Sequence, residues 1–198
     1  MVQPEVAILD SACRAQEFHM KMTDGWYLSY SHESFLQNFI AFELFKKSKL
    51  SVNIDPSGRK VYEEVSPWGR PPGSKRLDQR FDVVVWKKDS SSVKAVIEVK
   101  KAWRTKSVLQ DVKKLRKFLP TASVRCAKGY VLYYTDKRPT SRGDKQTDIE
   151  TIGGRFKRVH DSMCKHRNIG NQGIRHFASD YVFGDQNRAP WGVALYRC

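Results

Sequence analysis

Two β-type runs of this chain each carry an acid where an apolar side chain would be expected. Arg80-Phe81-Asp82-Val83-Val84-Val85-Trp86 holds Asp82 among branched and aromatic residues, and the run from Val93 to Lys100 ends in Glu98-Val99-Lys100. Such runs suit buried strands, where an unpaired carboxylate is costly. Alternate side chains of a strand share a face, so Glu98 and Lys100 lie on one side and Val99 on the other; Asp82 shares its face with Arg80, Val84 and Trp86. If the two runs pair as an antiparallel hairpin across the polar turn Lys87 to Ser92, Asp82 and Glu98 converge near its open end. Two carboxylates side by side resist ionising together, and a divalent cation relieves the conflict. Mg²⁺ prefers oxygen ligands, typically a couple of carboxylates with waters and substrate phosphates. Lys100, pointing the same way as Glu98, would orient or deprotonate a water or neutralise developing charge. A plainer arrangement uses the same residues as strand-end ion pairs, Asp82 with Arg80 and Glu98 with Lys100.

Other elements must carry these strands. Ser31-His32-Glu33-Ser34 opens a helical pattern, with Ser31 as its cap, Glu33 in its first turn, and Phe35, Leu36, Phe39 and Ile40 at helical spacing. Leu50 to Ile54 reads as a short strand ended by the turn Asp55-Pro56-Ser57-Gly58, and Val61 to Val65 as a weaker second strand. Ser66 to Arg76, rich in Pro, Gly and positive charge, reads as a loop. Beyond the hairpin, Ser107 and Gln110 form a capping box for a helix with Val108, Val112, Leu115 and Leu119 on one stripe, ended by Pro120. Gly129 to Thr135 is another buried strand, Thr147 and Glu150 cap a further helix, and Trp191 to Tyr196 is a last strand. Residues before about position 25 read as a poorly periodic lead-in. The order predicts an α/β chain of mixed α+β character, with a central mixed β-sheet flanked by helices.

With 198 residues, one domain spanning 1–198 is expected. A hydrophobic fraction of 40% excludes a disordered chain, and scattered Gly and Pro exclude a fibrous one. No apolar run reaches the ~20 residues of a spanning helix. The N-terminus lacks a basic start followed by an apolar stretch, so no secretory signal is expected. Cys13, Cys126, Cys164 and Cys198 form no CxxC pair, which fits reduced thiols and a cytoplasmic location. The net charge of +15 suits a polyanionic partner.

Asp82, fifteen intervening residues, then Glu98-Val99-Lys100 resembles the PD-(D/E)xK nuclease superfamily, the restriction-endonuclease-like fold. The element order is similar as well: a helix leading into antiparallel strands, then a helical crossover to a further strand. The resemblance covers about residues 31–135 and leaves 136–198 as a basic C-terminal extension; Phe81 stands where the motif has its proline. It implies an αβββαβ core and hydrolysis of phosphodiester bonds with Mg²⁺, for which Mn²⁺ would substitute. By position it makes Asp82 and Glu98 the metal-ligating acids, the Val99 carbonyl an added ligand, and Lys100 the catalytic lysine. Many members add a glutamate from the first helix as a further ligand, and Glu33 resembles it. Glu43 is a rival on the same helix, but ten residues turn a helix about 80° short of whole turns, so the two cannot aim alike. Gln110 resembles an accessory polar position.

These residues lead to a metal-dependent endonuclease, DNA favoured over RNA, in which water attacks phosphorus in line without a covalent enzyme intermediate. Arg70, Lys75, Arg76, Arg80, Lys101, Arg104 and Lys106 would hold the nucleic-acid backbone, and Tyr27, Trp68 and Trp103 offer rings for bases. Two other readings stand beside it: a nucleic-acid-binding protein without catalysis on the same fold, and a protein-interaction module whose basic face meets an acidic partner. Double-strand cutting would favour a homodimer, though no dimer motif is evident. His160 and Cys164 share a helix face, but His166 points elsewhere and a fourth zinc ligand is missing. No GxxxxGK[ST] is present, so no ATP-driven step is expected.

Overall fold

The structure is a computed structural model that describes residues 3–23, 28–48, 50–65, 77–88, 92–101, 105–120, 127–137, 145–165, 170–178 and 190–198. In chain order these form α1 (Pro4–Met22), α2 (Glu33–Ser48), β1 (Ser51–Ile54), α3 (Gly58–Val65), β2 (Val83–Trp86), β3 (Val93–Lys101), α4 (Thr105–Phe118), β4 (Lys128–Asp136), α5 (Lys145–Cys164), β5 (Gly170–Ala178) and β6 (Pro190–Arg197), with a 3₁₀ turn at Leu28–Tyr30. The expected mixed sheet with flanking helices is present. Its six strands run in the order β1-β2-β3-β4-β6-β5. Only β3 and β4 pair in parallel, joined through α4; every other neighbouring pair is antiparallel.

Strand alternation sorts the core into two layers. Val83, Val85, Ile97, Val99, Leu132 and Leu195 face α1 and α2. Val84, Val96, Val131, Tyr133 and Tyr196 face α3, α4 and α5. Covered on both sides, β3 has an apolar run broken by Glu98, which explains why that acid stands out in the sequence. The hairpin between β2 and β3 is closed by Lys87 N–H donating to the Ser92 carbonyl at 3.0 Å.

Five points of the expected architecture are corrected. The N-terminal lead-in is the 19-residue helix α1, which buries Ile8, Leu9, Ala12 and Ala15. Three of its six buried apolar residues are alanines, which dilute the periodic signal, although Pro4 at the start and Glu5 in the first turn mark a helix N-terminus. Val61 to Val65 is part of α3, not a strand: Ser57 caps it, its Oγ accepting the Lys60 N–H at 3.2 Å, while Val61 and Tyr62 turn into the core. Ser31 does not cap α2; its Oγ donates to the Leu28 carbonyl at 2.8 Å and so closes the 3₁₀ turn. Strand β5 was not expected, and it pairs with β6 alone, at the sheet edge. Helices α4 and α5 also begin two residues before their expected capping boxes, at Thr105 and Lys145. The loop Ser66 to Arg76 lies outside the described residues. Among the described residues no helix is long and apolar enough to cross a membrane.

Candidate functional site

Val83 faces Ile97 across β2 and β3, so one further step of the same register sets Asp82 against Glu98. The expected convergence of these two acids is present, and Asp82 is built into the sheet by its side chain. Its Oδ2 accepts the Val99 N–H at 2.6 Å, while its carbonyl accepts the Asp55 N–H at 3.0 Å. The acid at the start of β2 is thus fastened to the strand that carries Glu98 and Lys100.

Glu98 is 2% exposed. Its Oε2 accepts from Lys114 Nζ at 2.8 Å, and its Oε1 is buried with no hydrogen-bond partner. Burial pushes the Glu98 carboxyl up to about 8; the neighbouring Asp82 charge adds to the rise, and Lys114 opposes it. Burial likewise raises Asp82 to about 6, against the pull of the Val99 amide and Lys114. The pair therefore holds a proton readily in the absence of a cation, as two crowded carboxyls must.

Lys100 Nζ lies 3.2 Å from Glu33 Oε1 and 3.5 Å from Asp111 Oδ2. Burial alone would lower its pKa, but Asp111 and Glu33 outweigh burial and raise it. The group is an ammonium at neutral pH. As an ammonium it can orient a water or neutralise developing charge. Burial raises the Asp111 carboxyl as well, despite Lys100 and Lys114. Fully ionised, Glu33, Asp82, Glu98 and Asp111 bring four negative charges against the two positive charges of Lys100 and Lys114. That net of two negative charges, in a chain carrying +15 overall, is one a divalent cation would offset.

The remaining residues are placed unevenly. Glu33 is brought to the cluster from the first turn of α2, but both its oxygens are engaged, Oε1 by Lys100 and Oε2 by the Lys101 N–H at 2.9 Å. Glu43 lies about 15 Å further along α2; it is buried and paired with Arg14 at 3.0 Å, away from the cluster. Gln110 is exposed, and its neighbour Asp111 is the α4 residue that reaches Lys100. Arg80 pairs with Asp55 at 2.7 Å rather than with Asp82, and Glu98 pairs with Lys114 rather than with Lys100, so neither strand-end ion pair forms as drawn from the sequence. Lys101 is turned inward, its Nζ donating to the carbonyls of Leu28 and Ser31, which corrects its assignment as a backbone-holding side chain. Lys106 is exposed, whereas Arg70, Lys75, Arg76 and Arg104, with Tyr27, Trp68, Trp103 and His166, lie outside the described residues.

Asp111 and Lys114 are not among the site residues expected from the sequence. A signal was present: Asp111 is the only acid in α4, and it stands three residues from Lys114, which puts both on one side of the helix. Among the described residues no group of three His, Cys, Asp or Glu side chains is arranged to hold a metal by itself. Two carboxylates completed by backbone oxygen, water and a substrate phosphate form the pattern of Mg²⁺, and an unpartnered, buried Glu98 Oε1 beside Asp82 fits that ion. No family model matches this chain, and no curated protein or solved structure matches it.

Proposed function

We propose that the chain is a divalent-metal-dependent nuclease of the PD-(D/E)xK type, cutting phosphodiester bonds of DNA in preference to RNA. One observation carries the reading: Asp82 and Glu98 face each other from adjacent strands, with Glu98 buried and one of its oxygens left without a partner. The succession α2, β1, β2, β3, α4, β4, with α3 inserted after β1 and only β3 and β4 parallel, is consistent with the αβββαβ core of that superfamily. The charge of +15 supports a polyanionic substrate.

In this reading Asp82 and Glu98 hold the cation, with the Val99 carbonyl as a further oxygen. Bound there, Mg²⁺ supplies Lewis-acid polarisation of the phosphate and a more acidic water. Asp82 Oδ2 already accepts the Val99 amide, so Oδ1 would be its freer oxygen for the ion. Lys100, held between Glu33 and Asp111, donates hydrogen bonds to the attacking water or to a phosphate oxygen and offsets the charge that builds on it. Glu33 positions that lysine, a role its engaged oxygens favour over metal ligation. Water attacks phosphorus opposite the leaving oxygen, the phosphorus–oxygen ester bond breaks, and no bond to the protein forms.

The test is cleavage of plasmid, single-stranded DNA and RNA with Mg²⁺ or Mn²⁺ by wild type, Glu98→Ala and Lys100→Ala. Metal-dependent cutting that both variants lose is the expected result. Undiminished cutting in both removes this mechanism, and salt-sensitive binding without any cutting assigns the fold to binding alone.

A further inference from the structure

We propose that Lys114 sets which cation the site accepts, by occupying one oxygen of Glu98 so that only the other is presented. The inference rests on the reading that Asp82 and Glu98 hold a divalent ion, and adds a specificity-determining residue to it. Lys114 projects from the third turn of α4, between the buried residues Val112 and Leu115. Its side chain is only 20% exposed, unlike an ordinary surface lysine. The ammonium lies 5.0 Å from the centre of the Phe81 ring, and that ring packs on Phe118 at 4.3 Å. Held over an aromatic face, the amine has a fixed position, and from there it reaches Glu98 Oε2 at 2.8 Å. The other oxygen, Oε1, remains buried and without a partner.

The consequence is geometric. With Lys114 drawing on Oε2, Oε1 is the oxygen that Glu98 offers freely, and ligation through both oxygens has to compete with the ammonium for Oε2. Mg²⁺ and Mn²⁺ suit one-oxygen carboxylate ligation in an octahedral shell, whereas Ca²⁺ takes more oxygens and readily uses both of one carboxylate. Lys114 therefore acts through Glu98 as a positioning residue that disfavours Ca²⁺.

The experiment is competitive titration of Mn²⁺ and Ca²⁺ into the full chain at one fixed pH, read calorimetrically and by the Mn²⁺ paramagnetic signal. Lys114→Met keeps an aliphatic stem over Phe81 and removes the donor; Lys114→Arg keeps a donor. Protonation of Glu98 weakens both ions together, so the ratio of the two dissociation constants is insensitive to it. The ratio is expected to move by about tenfold towards Ca²⁺ in Lys114→Met and to stay at the wild-type value in Lys114→Arg. A ratio unchanged in Lys114→Met, with both ions still bound, overturns the inference and leaves the cation site standing; so does an arginine variant that shifts as far as methionine. Binding of neither ion by wild type, or binding that survives Asp82→Asn unaltered, overturns the cation site as well. If Lys114→Met melts below the assay temperature, Lys114→Gln, checked by its own melting curve, is read by the same ratio.

Discussion

The Val99 amide donates to Asp82 Oδ2 at 2.6 Å, so a side chain takes the part of a backbone acceptor where β2 begins. The same carboxylate is proposed to hold the cation, and its part in the sheet and its part in the site can be separated by substitution.

Asp82→Asn keeps an acceptor for the Val99 N–H and removes the charge. Folding should be little changed, and Mn²⁺ binding measured by calorimetry should weaken sharply. Asp82→Ala loses the acceptor too and strands a partly buried amide, at a cost of about 1–3 kcal/mol. Urea unfolding of the two variants measures the difference. Equal stabilities would mean that the bond to Val99 contributes nothing.

The raised acids give the metal-free protein a pH dependence with a definite sign. An acid whose folded-state pKa exceeds its unfolded value favours folding while protonated, and that contribution fades as pH rises through the folded value. For Glu98 the window runs from the ordinary 4.5 to about 8, and for Asp82 from 3.8 to about 6. In chelator, the melting temperature of wild type should fall relative to Glu98→Gln across the Glu98 window. Added Mg²⁺ should raise it more on the alkaline side of that window than on the acid side, because the ion needs the ionised pair. Calorimetric scans at several pH values check both; a gap between wild type and Glu98→Gln that stays constant with pH would contradict a buried, proton-holding Glu98.

Two basic residues on neighbouring elements should behave oppositely to each other. Lys101 donates to Leu28 and Ser31, so Lys101→Met should loosen the entry to α2, lower the melting temperature and slow cutting through Glu33. The salt slope of nucleic-acid binding should be unchanged, since no phosphate contact is lost. Exposed Lys106 should show the reverse, a shallower slope with normal stability. Fluorescence anisotropy against salt concentration, alongside melting curves, distinguishes them.

Asp82, Glu98 and Lys100 were legible because strand alternation is strict and an acid inside a β-branched run violates it. The helix stripe Val108–Val112–Leu115 was legible for a similar reason, facing a single layer of core. What stayed hidden depended on contacts between distant segments. The alanine-rich face of α1 carries little hydrophobic contrast, and only packing on the sheet reveals it. Val61–Val65 has the composition of a strand, and the Ser57 cap decides for a helix. Asp111 and Lys114 sit among basic neighbours; their spacing puts them on one side of α4, but only the packed fold shows that the acid reaches Lys100 and the lysine Glu98.

Lys100 and Asp111 provide the sharpest electrostatic test, because one reading predicts the same sign for cutting and opposite signs for metal binding. Lys100→Met removes the ammonium held by Glu33 and Asp111, so single-turnover cutting should drop by about 10²–10³-fold. The same change removes a positive charge beside the cation site, and Mn²⁺ should bind more tightly. Asp111→Asn frees Lys100 from one of its two anchors and should also slow cutting, though less. It removes a negative charge from the cluster, so Mn²⁺ should bind more weakly. Paired measurements of cleavage rate and Mn²⁺ affinity read all four values. If both variants shift metal affinity in the same direction, Lys100 and Asp111 do not share a field with the Asp82–Glu98 pair, and the cluster is an ion-pair network without a cation at its centre.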